Sequence, residues 1–395
     1  MEGVSPTSVE SPTTQELLGV EHHPHARAVL LPALPPAGAP SHAYLFHGPA
    51  GTGKRTVARS FAAVLLADGA ERAETVRERV ARGAHPDLTW VTPSGASEVL
   101  VGDIEEPVVA AVTHTPFESK RRVFVIEAAG SMNDQAANRL LKTLEEPPSF
   151  AHLILLAEHR EDVLPTIASR CQQVRFDPLA EDIVERRLAD DAEAAGEAID
   201  PLRAAACARL AAGDARLARR LAGEEGSQLR EWAEGFVRST LDRRTPERRW
   251  IGLLETAKVA GAEAGARASD RLKEQAELLP GKERRKYERE GVDVVRRAER
   301  RARSATLELG LRLVELWLRD AWCVSQGAPE LVFALDRSHE LAEDARGREA
   351  RSLLHGMELV RDTRLRLALN VSEELALEAL AYRLAEIAPR LGARP

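Results

Sequence analysis

Residues 48–56 read GPAGTGKRT, a spacing suited to gripping phosphate. In a loop of the form G-x-x-x-x-G-K-[ST], glycines let the backbone curl until successive N–H groups face phosphate oxygens. The lysine then reaches the outer phosphates, and the hydroxyl after it holds magnesium. Gly48, Gly51, Gly53 and Lys54 meet these requirements. Arg55 does not, because it stands where the magnesium hydroxyl belongs. Thr56 comes one residue later, turned by about 100° around a helix. A glycine-rich turn packed against its own helix is the alternative. A working site also needs carboxylates from a second strand, one for magnesium and often another to orient the attacking water. The candidate strand, RRVFVIEAAGSM (121–132), ends on Glu127 followed by Ala128. Alanine neither accepts a proton nor positions water, so hydrolysis in cis is not expected. Glu127 is either a residual metal partner or an ordinary strand-end carboxylate.

The elements around these residues supply the right frame. HAYLFH (42–47) is an apolar, aromatic stretch that fits a buried strand entering the loop. TVARSFAAVLLA (56–67) has helical apolar spacing, which puts the loop at a helix N-terminus where the backbone dipole favours anions. Four further strand-like runs, LTWVTP, RRVFVI, HLILLA and CQQVRF, alternate with helical segments up to about Pro178. That alternation predicts a parallel sheet flanked by helices. From Leu179 to about Gly223 the pattern turns helical, and after Glu224 helices dominate to the end. Pro280-Gly281 breaks that last region, and the Ala- and Gly-containing stretch before it reads as a long helix or a loop. Residues 282–303, KERRKYEREGVDVVRRAERRAR, are dense in arginine. Interleaved glutamates favour a solvated helix face laced with i,i+4 ion pairs over a contact with nucleic-acid phosphates.

Composition limits what this frame can belong to. The chain has 395 residues, 44% of them hydrophobic and 30% charged, enough for two or three domains with large cores. A net charge of −7 argues against a surface that grips nucleic acid everywhere, though not against a local basic patch. The first 14 residues, rich in Ser, Thr, Pro and Glu, read as a disordered tail with neither the basic leader nor the apolar stretch of a signal peptide. No apolar stretch approaches a membrane span. Cys171, Cys207 and Cys323 are far apart and suit reduced thiols, so a cytoplasmic location is expected.

One long stretch is specific enough to carry a resemblance. Residues 132–176, MNDQAANRLLKTLEEPPSFAHLILLAEHREDVLPTIASRCQQVRF, include ANRLLKTLEEPP and the triplet Ser169-Arg170-Cys171. Leu140, Leu141 and Leu144 are spaced for packing, and the helix stops before Pro147-Pro148 because proline cannot continue it. These residues resemble the AAA+ subunits of the bacterial DNA polymerase III clamp loader. LLGVEHHPHA near the start, HPDL (85–88), PFESKRRVFVI (116–126) and NVSEELALEALAYRL (370–384) agree with that family.

The resemblance implies an AAA+ P-loop domain over 15–178, a helical lid over 179–223 and an all-α oligomerising collar over 224–395. Within the family, hydrolysing gamma and tau subunits carry Thr after the loop lysine, an Asp-Glu pair on the second strand and four zinc-binding cysteines. Here Arg55, Glu127 and Ala128 stand instead, and residues 66–85 hold no cysteine, so no zinc is expected. Glu158-His159 replaces a Thr pair that senses the nucleotide, and a carboxylate beside a triphosphate repels it. The pattern resembles the delta-prime type. Gly213-Asp214-Ala215-Arg216 is similar to the family's second sensor, where Arg216 would touch the γ-phosphate, unless it is only a helix start.

By the same resemblance, Arg170 would reach across an interface as an arginine finger for a neighbour's ATP, stabilising charge on the transferring phosphoryl group. A capping or salt-bridging arginine is the plain alternative. Cys171 beside it reads as a buried small hydrophobe. The cofactors implied are ATP or ADP with Mg2+. The partners implied are gamma/tau, delta, the sliding clamp and primed DNA. An active ATPase, with Glu127 and Thr56 as substitute magnesium ligands, is the competing expectation. A stand-alone P-loop enzyme comes third.

Overall fold

The computed structural model describes residues 17–93, 98–241, 248–277, 280–369 and 371–387, so the tail expected over 1–14 lies outside the described residues. The chain divides into two compact units, residues 1–179 and 180–395.

The first unit is a parallel five-stranded sheet between helices. Its strands are β1 (Ala43–His47), β2 (Leu88–Val91), β3 (Arg122–Ile126), β4 (Ala151–Ala157) and β5 (Gln172–Arg175). They lie in the order β2-β3-β4-β1-β5. Each came from one of the apolar runs legible in the sequence. The helices are α1 (Pro24–Leu30), α2 (Lys54–Ala67), α3 (Ala73–Ala81), α4 (Val101–Ile104), α5 (Asp134–Glu145) and α6 (Pro165–Ala168). The two-residue side-chain period of a strand sorts β1 into two cores. Tyr44 and Phe46 pack with Phe61 of α2. Leu45 packs on the other face with Leu140 and Leu144 of α5. Asn133 caps α5 by accepting the Ala136 N–H at 2.9 Å, and the helix ends before Pro147 as the sequence requires. Leu141 is only partly buried against that core.

Between α3 and β3, a buried carboxylate fixes the chain path. Asp87, fully inaccessible, accepts the backbone N–H groups of Phe117, Glu118 and Ser119 at 2.6–3.0 Å. Three donors satisfy a buried charge that would otherwise be costly. This explains why HPDL and PFESK act together.

The second unit is helical throughout its described residues: α7 (Glu181–Ala194), α8 (Pro201–Ala211), α9 (Ala215–Ala222), α10 (Glu224–Leu241), α11 (Trp250–Glu277), α12 (Gly281–Ser325), α13 (Ser338–Ala345), α14 (Ala350–Ala368) and α15 (Glu373–Ile387). The stretch before Pro280, open between helix and loop in the sequence, is the 28-residue helix α11. It runs antiparallel to the 45-residue α12: Leu253 meets Gly310, Gly261 and Gly265 meet Glu299, and Leu272 meets Gly291. Glycines at these crossings let the two backbones approach. Arg220 of α9 donates to Glu225 at 2.6 Å and to Thr306 of α12 at 2.8 Å, tying the shorter helices to the long one.

Candidate functional site

Strand order decides which residues meet. β3, β4 and β1 are neighbours, so their C-terminal ends bring Glu127, Glu158 and Gly48 to one rim of the sheet. In open parallel sheets this rim is where ligands bind.

The loop has the backbone its glycines promised. Gly48, Gly51 and Gly53 have φ of 145°, 67° and 100°, in the left-handed region that favours glycine. Gly48 also permits a close approach: a Cβ there would lie 2.0 Å from the Phe176 carbonyl oxygen, while its N–H donates to the Glu158 carbonyl at 3.1 Å. Thr52, buried, donates its hydroxyl to the Pro49 carbonyl at 3.0 Å. The ring of buried His23 donates to the Thr52 carbonyl at 2.7 Å and rests on Phe176. The N-terminal LLGVEHHPHA stretch therefore braces the loop from outside. Lys54 is buried, and its ammonium donates to the carbonyls of Gly48 and Pro49.

The decisive contact is between the two residues that depart from the motif. The Arg55 guanidinium lies 2.8 Å from Oε1 of Glu127. The same carboxylate accepts the Trp90 indole N–H at 2.5 Å from β2, and Arg59 of α2 stacks over that indole at 4.6 Å. A guanidinium thus sits against the carboxylate that would hold magnesium. Magnesium requires oxygen ligands in near-octahedral array. Arg55 offers none, and Thr56 is exposed with its methyl toward Gly19. The residues present do not fit Mg2+. Ala128 follows in a left-handed conformation (φ 52°) and supplies only backbone, its carbonyl accepting from Ser131 at 2.8 Å. The Glu158 side chain is exposed at the rim. Nearby His47 has its pKa lowered by burial and by the cationic Arg160, which keeps its ring neutral at physiological pH.

Arg170 lies elsewhere in this unit, on the turn after α6. Its guanidinium donates to Glu145 at 2.6 Å and to the Thr166 carbonyl at 2.9 Å. Glu145 is the first glutamate of LEEPP, so the two most recognisable motifs of the chain meet in one ion pair. Cys171 is buried, and desolvation pushes its thiol up to about 12, which removes it as a nucleophile. Arg216 belongs to the second unit. It is exposed on the first turn of α9, whose start Asp214 caps by accepting the Leu217 N–H at 2.8 Å. Among the described residues no cluster of three or more His, Cys, Asp or Glu is placed to hold a metal. No helix among them is long and apolar enough to cross a membrane.

Sequence reasoning did not single out Trp90, His23 or Glu145. Trp90 carried a usable signal, an indole in a strand that must sit beside β3. The other two needed the tertiary structure.

Residues 31–180 match the family described as DNA polymerase III, delta subunit. The chain is 40% identical over 158 residues to DNA polymerase III subunit delta' of Bacillus subtilis, covering 38% of this chain and 46% of that protein. It is 40% identical over 138 residues to the delta' subunit of Pseudomonas aeruginosa, covering 34% and 42%. Similarity to the Bacillus subtilis tau subunit is lower, 32% over 154 residues, covering 38% and 27%. The chain thus spans less than half the length of the curated relatives it matches.

Proposed function

We propose, from a chain whose residues 31–180 belong with the delta-prime-like subunits of the DNA polymerase III clamp loader, that this protein is a non-hydrolysing member of that assembly. It completes the ATP site of a neighbouring gamma/tau subunit with Arg170. In this role it works in the cytoplasm beside gamma/tau and delta, and helps hold a sliding clamp open so that it is loaded on primed DNA. Residues 179–223 serve as a lid and 224–395 as a collar that holds the subunits together.

The Arg55–Glu127 pair is the observation that carries the proposal. It puts a fixed cation where hydrolysis needs a mobile one with oxygen ligands, and Ala128 stands where the second carboxylate would be. A nucleotide bound at Gly48–Lys54 would be held by backbone N–H groups and Lys54 without magnesium, as a structural prop. Arg216, by the family resemblance, would touch its γ-phosphate. Arg170, by contrast, carries a planar guanidinium at the surface in a single ion pair with another surface residue. Such pairs are worth about 0–1 kcal/mol, so a neighbour's triphosphate competes for it at little cost. Desolvated at an interface, the guanidinium would stabilise charge on the transferring phosphoryl group.

Two assays test the proposal together. The purified chain should show no magnesium-dependent ATP turnover. Arg170→Ala should leave a reconstituted loader assembled while lowering its DNA-stimulated ATPase. Turnover by the chain alone, abolished by Lys54→Ala, would instead establish an active ATPase using Glu127 and Thr56.

A further inference from the structure

Interleaved glutamates in 282–303 predict i,i+4 ion pairs, and the groove between α11, the 296–303 part of α12 and the start of α15 departs from that. Arg296, Arg300 and Arg303 follow at i, i+4 and i+7, so they share one face of α12, with about 6 Å of rise between the first two. Lys258 of α11 faces the same groove, whose volume is about 590 Å³. Gly261 and Ala262 line its α11 side and keep that wall low.

Its carboxylates are diverted. Glu373 of α15 pairs with Arg303, with 2.8 Å between Nε and Oε2. Glu299 leans on α11, where a Cβ at Gly265 would meet its Oε1 at 2.4 Å. Asp293, one turn before Arg296 and Arg297, makes no ion pair with either among the described residues. Lys258, Arg296 and Arg300 are exposed and, among the described residues, have no hydrogen-bond or ion-pair partner. Counting Lys258, Arg296, Arg300 and Arg303 against Glu299 and Glu373, the groove carries two net positive charges on a chain whose total is −7.

We propose that this groove holds the phosphodiester backbone of nucleic acid. Two guanidiniums one helical turn apart, with an ammonium facing them, suit successive phosphates of one strand, and guanidinium grips phosphate through paired N–H donors. Among the described residues no aromatic side chain lines the groove, so bases are neither stacked nor read, and binding is independent of sequence. An acidic protein segment is the competing occupant. The spacing along a single helix face favours the regular charge of a nucleic-acid strand. The proposal uses residues of the second unit only and stands apart from the role given to Arg170.

The test is fluorescence anisotropy of labelled single-stranded and duplex DNA with the full chain across a salt series. The combined Lys258→Ala, Arg296→Ala, Arg300→Ala variant should bind at least roughly tenfold more weakly. Its slope of log affinity against log salt should be shallower by about 2–3, as expected for three lost phosphate contacts. Lys258→Arg, Arg296→Lys, Arg300→Lys should retain binding. Removal of the exposed Arg186, Arg346 and Arg351 instead should leave affinity and slope unchanged. Absence of DNA binding by the parent chain would overturn the proposal. So would equal binding by parent and triple-Ala variant, or groove-dependent binding of polyglutamate without binding of DNA.

Discussion

Two arginine–glutamate pairs of the first unit look alike on paper and differ in their surroundings, which suit the opposite roles we propose for them. Arg55 and Glu127 meet at the C-terminal rim of the sheet, with side chains 59% and 17% accessible. Arg170 and Glu145 meet on a surface turn, 37% and 51% accessible. In the first, the carboxylate is sheltered, committed to Trp90 as well, and placed where a metal would be needed. In the second, the carboxylate is a solvated surface residue. The difference is one of what the partner can give up. Glu127 cannot turn away from the rim without stranding a half-buried indole donor, whereas Glu145 can release Arg170 to water or to a competing anion. In the proposed reading, one pair closes a site and the other stores a group for use elsewhere.

The comparison breaks most visibly at Arg170. We expect Arg170→Lys to cost the completed ATP site almost as much as Arg170→Ala, about 10³-fold in turnover, because a point charge cannot spread over the phosphoryl oxygens as a guanidinium does. Steady-state ATPase of the reconstituted complex reads this directly, and full activity with Lys would remove the finger role. Next comes the closed site. Arg55→Thr restores a hydroxyl and frees Glu127, so magnesium should tighten ATP binding by at least roughly tenfold in the variant and not in the parent. Calorimetry with and without magnesium decides it, and equal magnesium dependence in both proteins would mean Arg55 is no barrier.

The smallest effects are in stability. Glu127→Ala should cost about 1–3 kcal/mol by leaving Trp90 unsatisfied, against less than about 1 kcal/mol for Glu145→Ala. Urea unfolding of the two variants would show the contrast. Equal losses would erase the distinction between sheltered and surface pair.

Much of this was legible in the residues. All five strands came from apolar runs, and the loop glycines adopt the conformations their positions called for. Arg55 and Glu127 were each recognisable as departures from a working site. That the two departures cancel one another was not legible, because their meeting depends on β3, β4 and β1 lying side by side, which no local pattern encodes. Asp87 was hidden for a similar reason: HPDL gives no hint that its carboxylate gathers three N–H groups from residues 117–119. Two arginines of α12 depart from the sequence pattern: Arg296 and Arg300 have no ion-pair partner among the described residues, while Arg303 pairs with Glu373 of α15.

The central claim is that the chemistry this chain supports happens in a neighbour's site and not in its own loop. A reconstituted loader carrying Lys54→Ala should be compared directly with one carrying Arg170→Ala, with DNA-stimulated ATPase as the readout. The account predicts that Lys54→Ala leaves turnover at the parent level while Arg170→Ala lowers it with assembly intact. Loss of turnover with Lys54→Ala and none with Arg170→Ala would contradict it.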